Sequence, residues 1–291
     1  MRRENIQDIY PLSPLQQGLL FHALEAPEAG LYCEQLSCQL AGDLDIAAFS
    51  AAWQGVLDRH TVLRTVFVWQ GMEQPVQVVC RKLSLPVERE DWRLYPSAER
   101  RRRVQDYQEA SRSRGFVMSE APLMRLALFQ LADDVWQLVW TFHHILLDGW
   151  SLPILLREVF AGYAAACAGS TPQLGAPRPF RDYIQWLLAR DLAKAEAFWR
   201  EDLSGFMLPT DLAADRPGDG SAAADADCAE LEIHLPQAAT AALYALARRH
   251  QLTVNTLVQG AWSLLLSRYS GDGEVVFGAV SSGRPADLAG V

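Results

Sequence analysis

The chain has 291 residues, half of them hydrophobic and 21% charged, with a net charge of -9. That length is comfortable for two domains with a sizeable core, and the composition is that of an ordinary globular protein and not a disordered one. The acidic balance, with no basic stripe interleaved with aromatics, argues against a nucleic-acid-binding protein.

Residues 1–9 read as a polar lead-in. Ser13 then serves as N-cap and Pro14 sits at the first helical position, where its missing donor costs nothing, and Leu15, Leu19, Phe21 and His22 continue the helix. Residues 31–40 alternate like a strand. Over 45–59, Ile46, Phe49, Trp53, Val56 and Leu57 recur at helical spacing and define a buried face. Residues 62–69 read as an apolar strand interrupted by Arg64, whose guanidinium needs a partner because an unpaired buried charge is costly. Residues 74–79 follow across a turn at Gly71, which predicts a hairpin. Residues 96–114 predict a polar helix in which Glu99, Asp106 and Glu109 intersperse Arg100-Arg101-Arg102-Arg103, a solvated face. Residues 123–131 and 135–142 are two strands joined at Asp133-Asp134.

The second of these strands runs into Phe142-His143-His144-Ile145-Leu146-Leu147-Asp148-Gly149-Trp150-Ser151, ahead of an apolar helix over 151–168. Two imidazoles, a carboxylate and a glycine thus occupy one short strand-to-helix connection, the kind of loop that carries chemistry on a rigid scaffold. Successive strand side chains point to opposite faces. If the strand continues through the motif, only one of His143 and His144 can enter a given cavity, and periodicity leaves open which.

Beyond this helix, 169–179 form a Gly/Pro-rich linker. A long helix follows from Phe180 to near Leu203, and an Ala/Asp/Gly/Pro-rich linker covers 211–227. Then come a strand (230–235), two helices (237–250 and 253–269) and a last strand (274–280). Gly271-Asp272-Gly273 is a turn into a strand and not a phosphate loop, which needs a helix N-terminus. The five cysteines (Cys33, Cys38, Cys80, Cys167, Cys228) are odd in number, with no CxxC or zinc spacing. They predict reduced thiols and no metal site. With no signal peptide and no membrane-length apolar run, a cytoplasmic protein without a membrane partner is expected.

Several segments match known motifs in order. HHxxxDG lies at 143–149, "PLSPLQ" at 11–16 and RHxxLRTxF at 59–67. Phe180-Arg181-Asp182-Tyr183-Ile184-Gln185-Trp186 is close to YxDYxxW, with Phe180 in place of Tyr, and Ser281-Ser282-Gly283-Arg284-Pro285 contains GRP. In these the chain resembles the condensation domains of non-ribosomal peptide synthetases, within the chloramphenicol acetyltransferase-like superfamily.

The resemblance implies an α/β (α+β), two-lobed fold. Its first lobe would cover 1–175 and a crossover helix and linker 176–227, and 228–291 would begin a second lobe that ends before the family's later FVNT motif. It implies peptide-bond formation between donor and acceptor aminoacyl thioesters. Both would be presented on phosphopantetheine arms by carrier-protein partners, with no cofactor bound directly and with adenylation or epimerisation domains as neighbours. By motif position His144 would carry the reaction, His143 and Asp148 would be structural, Gly149 would allow close backbone approach, and Arg64 would pair with Asp148. "YPLSPLQQGLLFH" with "HHILLDGWS" is more like domains that accept a D-configured donor. Competing readings are a coenzyme A-dependent acyltransferase, an epimerisation domain, and a non-catalytic or inactive fragment of the same fold. A heterocyclisation domain is disfavoured, because it carries Asp where this chain has His143-His144.

Overall fold

The computed structural model describes residues 3–27, 30–206, 210 and 231–290. It divides into two compact units, Met1–Arg190 with Ser282–Val291, and Asp191–Ser281.

The first unit is built on β7 (Val135–His143), whose residues are buried from Trp136 onward. It pairs antiparallel with β2 (Cys33–Ala41) on one side and β6 (Met124–Ala132) on the other, and β6 pairs in parallel with the edge strand β5 (Val87–Asp91). A central strand covered on both faces needs apolar side chains on both, which is why 135–142 reads as a continuous apolar run and not as an alternation. On one face, Trp140 and Leu138 pack with Phe49, Trp53, Val56 and Leu57 of α2 (Ile46–Arg59) and with Leu155 and Val159 of α4 (Ser151–Cys167). Trp53 and Trp140 meet edge to face at 4.9 Å. On the other face, Val139, Phe129 and Trp92 pack with Val104 and Tyr107 of α3 (Ser97–Ser113). On the solvated side of α3, Glu99 accepts from Arg102 and Arg103.

A smaller sheet, in the order β1 (Ile6–Pro11), β4 (Val76–Cys80), β3 (Thr65–Val68), lies in the same unit. The β3–β4 hairpin turns at Gly71, whose φ of 70° suits a residue without Cβ. Next to β1, α1 (Pro14–Glu25) opens with a full capping box. Ser13 Oγ accepts from the Gln16 N–H at 3.1 Å, and the Ser13 N–H donates to Gln16 Oε1 at 3.0 Å.

The structure corrects several expectations. Residues 6–11 are a strand, paired with β4, and not a polar lead-in. Arg64 does not interrupt a strand: it ends a 3₁₀ turn, Thr61–Arg64, and β3 begins after it. The expected helix from 180 to 203 is two helices, α5 (Phe180–Leu188) and α6 (Leu192–Asp202). The break falls where Asp191 turns its carboxylate onto the Lys194 N–H and caps a new start.

The second unit contains α6, α7 (Gln237–Arg249) and α8 (Val254–Ser270), the last capped by Thr253 and ended at Gly271, whose φ is 81°. The strands expected at 230–235 and 274–280 do not form among the described residues. A strand needs a neighbour to take its backbone groups, and 231–236 and 274–280 have no ladder partner there. Leu231, Ile233 and Leu235 are exposed. The linker at 211–227 lies outside the described residues, as do Cys228 and the first residue of the 230–235 strand. Among the described residues no helix is long and apolar enough to cross a membrane.

Candidate active site

β7 ends on His143, so the loop that follows is delivered by the most buried strand of the unit. The last rung of the β2–β7 ladder sets Cys33 opposite His143. The His143 N–H turns the other way and donates to the Leu123 carbonyl at 3.0 Å. The ring is buried, 1% exposed, and lies near Tyr32 and Phe116, with centroids 6.2 and 6.4 Å away. Its Nδ1 accepts the Ile145 N–H at 3.1 Å. That bond assigns the proton of the neutral ring to Nε2, which is buried without a partner among the described residues.

Burial pushes the His143 pKa down to about 4 from 6.5, and the charge of His144 adds to the effect. His143 is therefore a neutral ring at pH 7, with one nitrogen committed to holding the loop. Its unfolded form binds a proton near 6.5 and its folded form only near 4, so stability is complete above that window and falls as the pH drops through it. We expect a loss of roughly 3 kcal/mol across the window. Urea unfolding from pH 7 down to the acid side of this window should show the slope, and His143→Gln should lack it. An unchanged slope in the variant would remove His143 as its source.

His144 is placed differently. Its N–H donates to the Tyr32 carbonyl at 2.8 Å, one step beyond the last rung. The residue is half-buried. Its Nδ1 is enclosed and takes no hydrogen bond from the described residues. The two neighbouring rings thus differ in burial and in commitment.

The carboxylate of the motif is held at the start of α4. Asp148 Oδ1 accepts from the Ser151 N–H at 2.8 Å and from the Ser151 hydroxyl. Arg284 Nη2 lies 3.0 Å from Asp148 Oδ1 and donates also to Ser151 Oγ at 3.1 Å. Burial alone would raise the Asp148 pKa, but the Ser151 hydroxyl, the Arg284 guanidinium and the Ser151 N–H together hold it below the ordinary carboxylate value. Arg284, in the GRP segment, is itself tethered, because nearby Asp287 accepts from Trp186 Nε1 of α5 at 3.1 Å.

The expected Arg64–Asp148 pair is not present. Arg64 is buried elsewhere, 4% exposed. It donates to the carbonyls of Leu57 (3.0 Å), Asp58 (3.1 Å), Arg81 (3.3 Å) and Cys80, and to Gln7 Oε1 at 2.8 Å. It therefore satisfies the orphan carbonyls at the end of α2 and fastens them to the end of β4. A Cβ built at Gly149 meets no protein atom within 4 Å, so no contact within the protein itself requires the glycine.

Sequence reasoning passed over two contributors to the loop. Gln16 of the capping box is buried and its Nε2 donates to the Ile145 carbonyl at 3.3 Å. The "PLSPLQ" match was the available signal, since a glutamine on the buried side of an apolar helix calls for a partner. Tyr32 carried no pattern signal at all. Among the described residues no cluster of His, Cys, Asp or Glu could hold a metal ion.

A family model described as Condensation domain matches residues 6–291. One of the linear gramicidin synthase proteins of Brevibacillus parabrevis is 47% identical over 290 residues, a match covering 100% of this chain and 4% of that protein. Surfactin synthase subunit 3 of Bacillus subtilis (strain 168) is 36% identical over 291 residues, 99% of this chain and 22% of that protein. The chain thus spans a small part of the curated relatives it matches. Among solved structures, the starter condensation domain of rhizomide synthetase RzmA superposes with a TM-score of 0.69 at 20% identity, covering 94% of this chain and 63% of that one. The first condensation domain of the calcium-dependent antibiotic synthetase, in complex with a substrate analogue, gives 0.68 at 18% identity, with 91% and 62% covered. At those identities the superpositions establish a shared fold.

Proposed function

The chain belongs to the condensation domain family, and on that premise we propose that it forms peptide bonds in non-ribosomal peptide synthesis. The α-amine of an acceptor aminoacyl thioester attacks the carbonyl of a donor thioester. A C–N bond forms, the C–S bond breaks, and the ammonium proton lost from the acceptor offsets the one the departing thiolate gains. Both substrates ride on phosphopantetheine arms of carrier-protein domains, with adenylation and, for some donors, epimerisation domains as neighbours.

The observation that carries the assignment of roles is the contrast between the two rings. His143 is buried, neutral, and spends Nδ1 on the Ile145 N–H. His144 is half-buried, and its Nδ1 takes no hydrogen bond from the described residues. An imidazole so placed can take the proton of the attacking amine or hold that amine in line. Asp148 serves the loop and not the proton, since its oxygens are taken by Ser151 and Arg284.

The sequence likeness to D-donor domains supports that subtype, and chirality would be read by pocket shape. The test is competition. Donor residues of either configuration, loaded on a carrier, are offered beside the same acyl group on free coenzyme A, with an acceptor-loaded carrier present. Product from the carrier-bound D-residue supports the whole reading, and product from the L-residue alone overturns the subtype. Product from the coenzyme A thioester alone makes the chain a carrier-independent acyltransferase.

A further inference from the structure

Tyr32 is held in a conformation that its side chain disfavours. Its φ is 61°, in the left-handed region, where a bulky residue is a genuine outlier. Such an outlier persists only where its surroundings over-determine it, and these positions gather at functional sites. The surroundings here are specific. The Tyr32 carbonyl accepts the His144 N–H at 2.8 Å. Its ring lies against His143 at 6.2 Å. Its hydroxyl shares a 2.8 Å hydrogen bond with Nδ1 of His22, and the two rings stack at 6.1 Å with 18° between their planes.

Register explains why the backbone takes this form. The His143 N–H points to β6, so His144 is the residue whose N–H points to the β2 side. β2 begins only at Cys33, so the acceptor must come from the residue before it. Tyr32 presents that carbonyl while its positive φ turns the chain away. The turn is closed by the Cys33 N–H on the Gly30 carbonyl at 3.2 Å. Gly30 has a φ of 58°, and a Cβ there would sit 2.9 Å from the Arg112 carbonyl oxygen. The turn is thus braced at Gly30 by α3 and at Tyr32 by His22 of α1.

We propose that Tyr32 is a positioning residue, setting the orientation of His144 through the backbone bond, with His22 as the strut that holds Tyr32 in place. The inference depends on the proposed role of His144, and the variants are chosen to separate the two.

Tyr32→Ala removes the ring and favours a β backbone, so kcat for condensation should fall roughly tenfold to a hundredfold while the KM for the acceptor carrier holds. Tyr32→Gly takes positive φ freely, so it should recover roughly threefold or more over Ala. Relief of backbone strain at a positive φ puts glycine above alanine in stability as well, so turnover alone does not separate positioning from packing, and the His144 amide does. Independently of turnover, hydrogen exchange at the His144 amide should quicken in Tyr32→Ala and recover in Tyr32→Gly. If Tyr32→Ala does not fold, Tyr32→Phe carries the test. It keeps ring and backbone but loses the bond to His22, so it should lower kcat and quicken His144 exchange at an unchanged melting temperature. Wild-type kcat with wild-type exchange in the variant that folds, or glycine no better than alanine, overturns the proposal. His144→Ala is run beside them. If that variant keeps full turnover, the catalytic reading fails, and the exchange data still decide whether Tyr32 holds the amide.

Discussion

Arg64→Met is expected to lower the stability of the chain by about 3 kcal/mol or more, the largest loss we predict for a single change away from the aromatic core. Methionine fills much of the same volume, so the effect is not a cavity. It is the loss of donors from the carbonyls of Leu57, Asp58, Cys80 and Arg81 and from the Gln7 side chain, in a site where the arginine is 4% exposed. A buried acceptor left without a donor costs about 1–3 kcal/mol. The carbonyls of Leu57 and Asp58 also close α2, where a positive charge is favoured by the helix dipole. The Arg284–Asp148 pair is a weaker contributor, since its side chains are 28% and 40% exposed and such pairs are worth about 1 kcal/mol or less. Urea unfolding of single and double variants tests both statements. Arg64 and Asp148 should behave additively, and Arg284 and Asp148 should not. A loss below about 1 kcal/mol for Arg64→Met would mean that water replaces the guanidinium in full.

Much of the first unit was legible because it follows from local chemistry. Ser13-Pro14 specified the start of α1 down to its capping box, and the helical spacing of Phe49, Trp53 and Val56 marked the face that α2 buries. The apolar run 135–142 marked a strand covered on both sides. What sequence hid was pairing between distant segments. Ile6–Pro11 is a strand because β4 lies beside it, and IQDIYP sets Gln7 next to Asp8 and Ile9 next to Tyr10, so no apolar alternation announces it. Residues 231–235 and 274–280 have strand-like patterns but no ladder among the described residues, since pattern alone cannot supply the neighbour.

The site divides the same way. HHxxxDG marked the loop, and the alternation rule separated two adjacent rings without saying which one was buried. That choice comes from tertiary contacts: Phe116 and Tyr32 enclose His143, and Ile145 ties its Nδ1. A buried Arg64 calls for partners, but carbonyl oxygens carry no sequence signature, and it is on carbonyls and the Gln7 side chain, not on a carboxylate, that its donors end. The carboxylate found its guanidinium in Arg284, more than a hundred residues further along the chain.

The proposed role of His144 carries the largest functional prediction. His144→Ala should slow condensation by roughly 10²–10⁴-fold, the range expected when a positioned imidazole is removed from a proton transfer. The fold should survive, because the residue is half-buried and its Nδ1 takes no hydrogen bond from the described residues. His143→Ala should do the reverse, lowering stability by about 1–3 kcal/mol through lost packing and the freed Ile145 N–H. One measurement decides it: the single-turnover rate at which a donor residue moves from its loaded carrier to the amine of an acceptor-loaded carrier. Wild type, His143→Ala and His144→Ala are followed by the mass of the acceptor arm, at a temperature where melting curves show all three folded. The account predicts a near-silent His144→Ala beside a His143→Ala that still turns over. A His144→Ala that acylates the acceptor at the wild-type rate would contradict it.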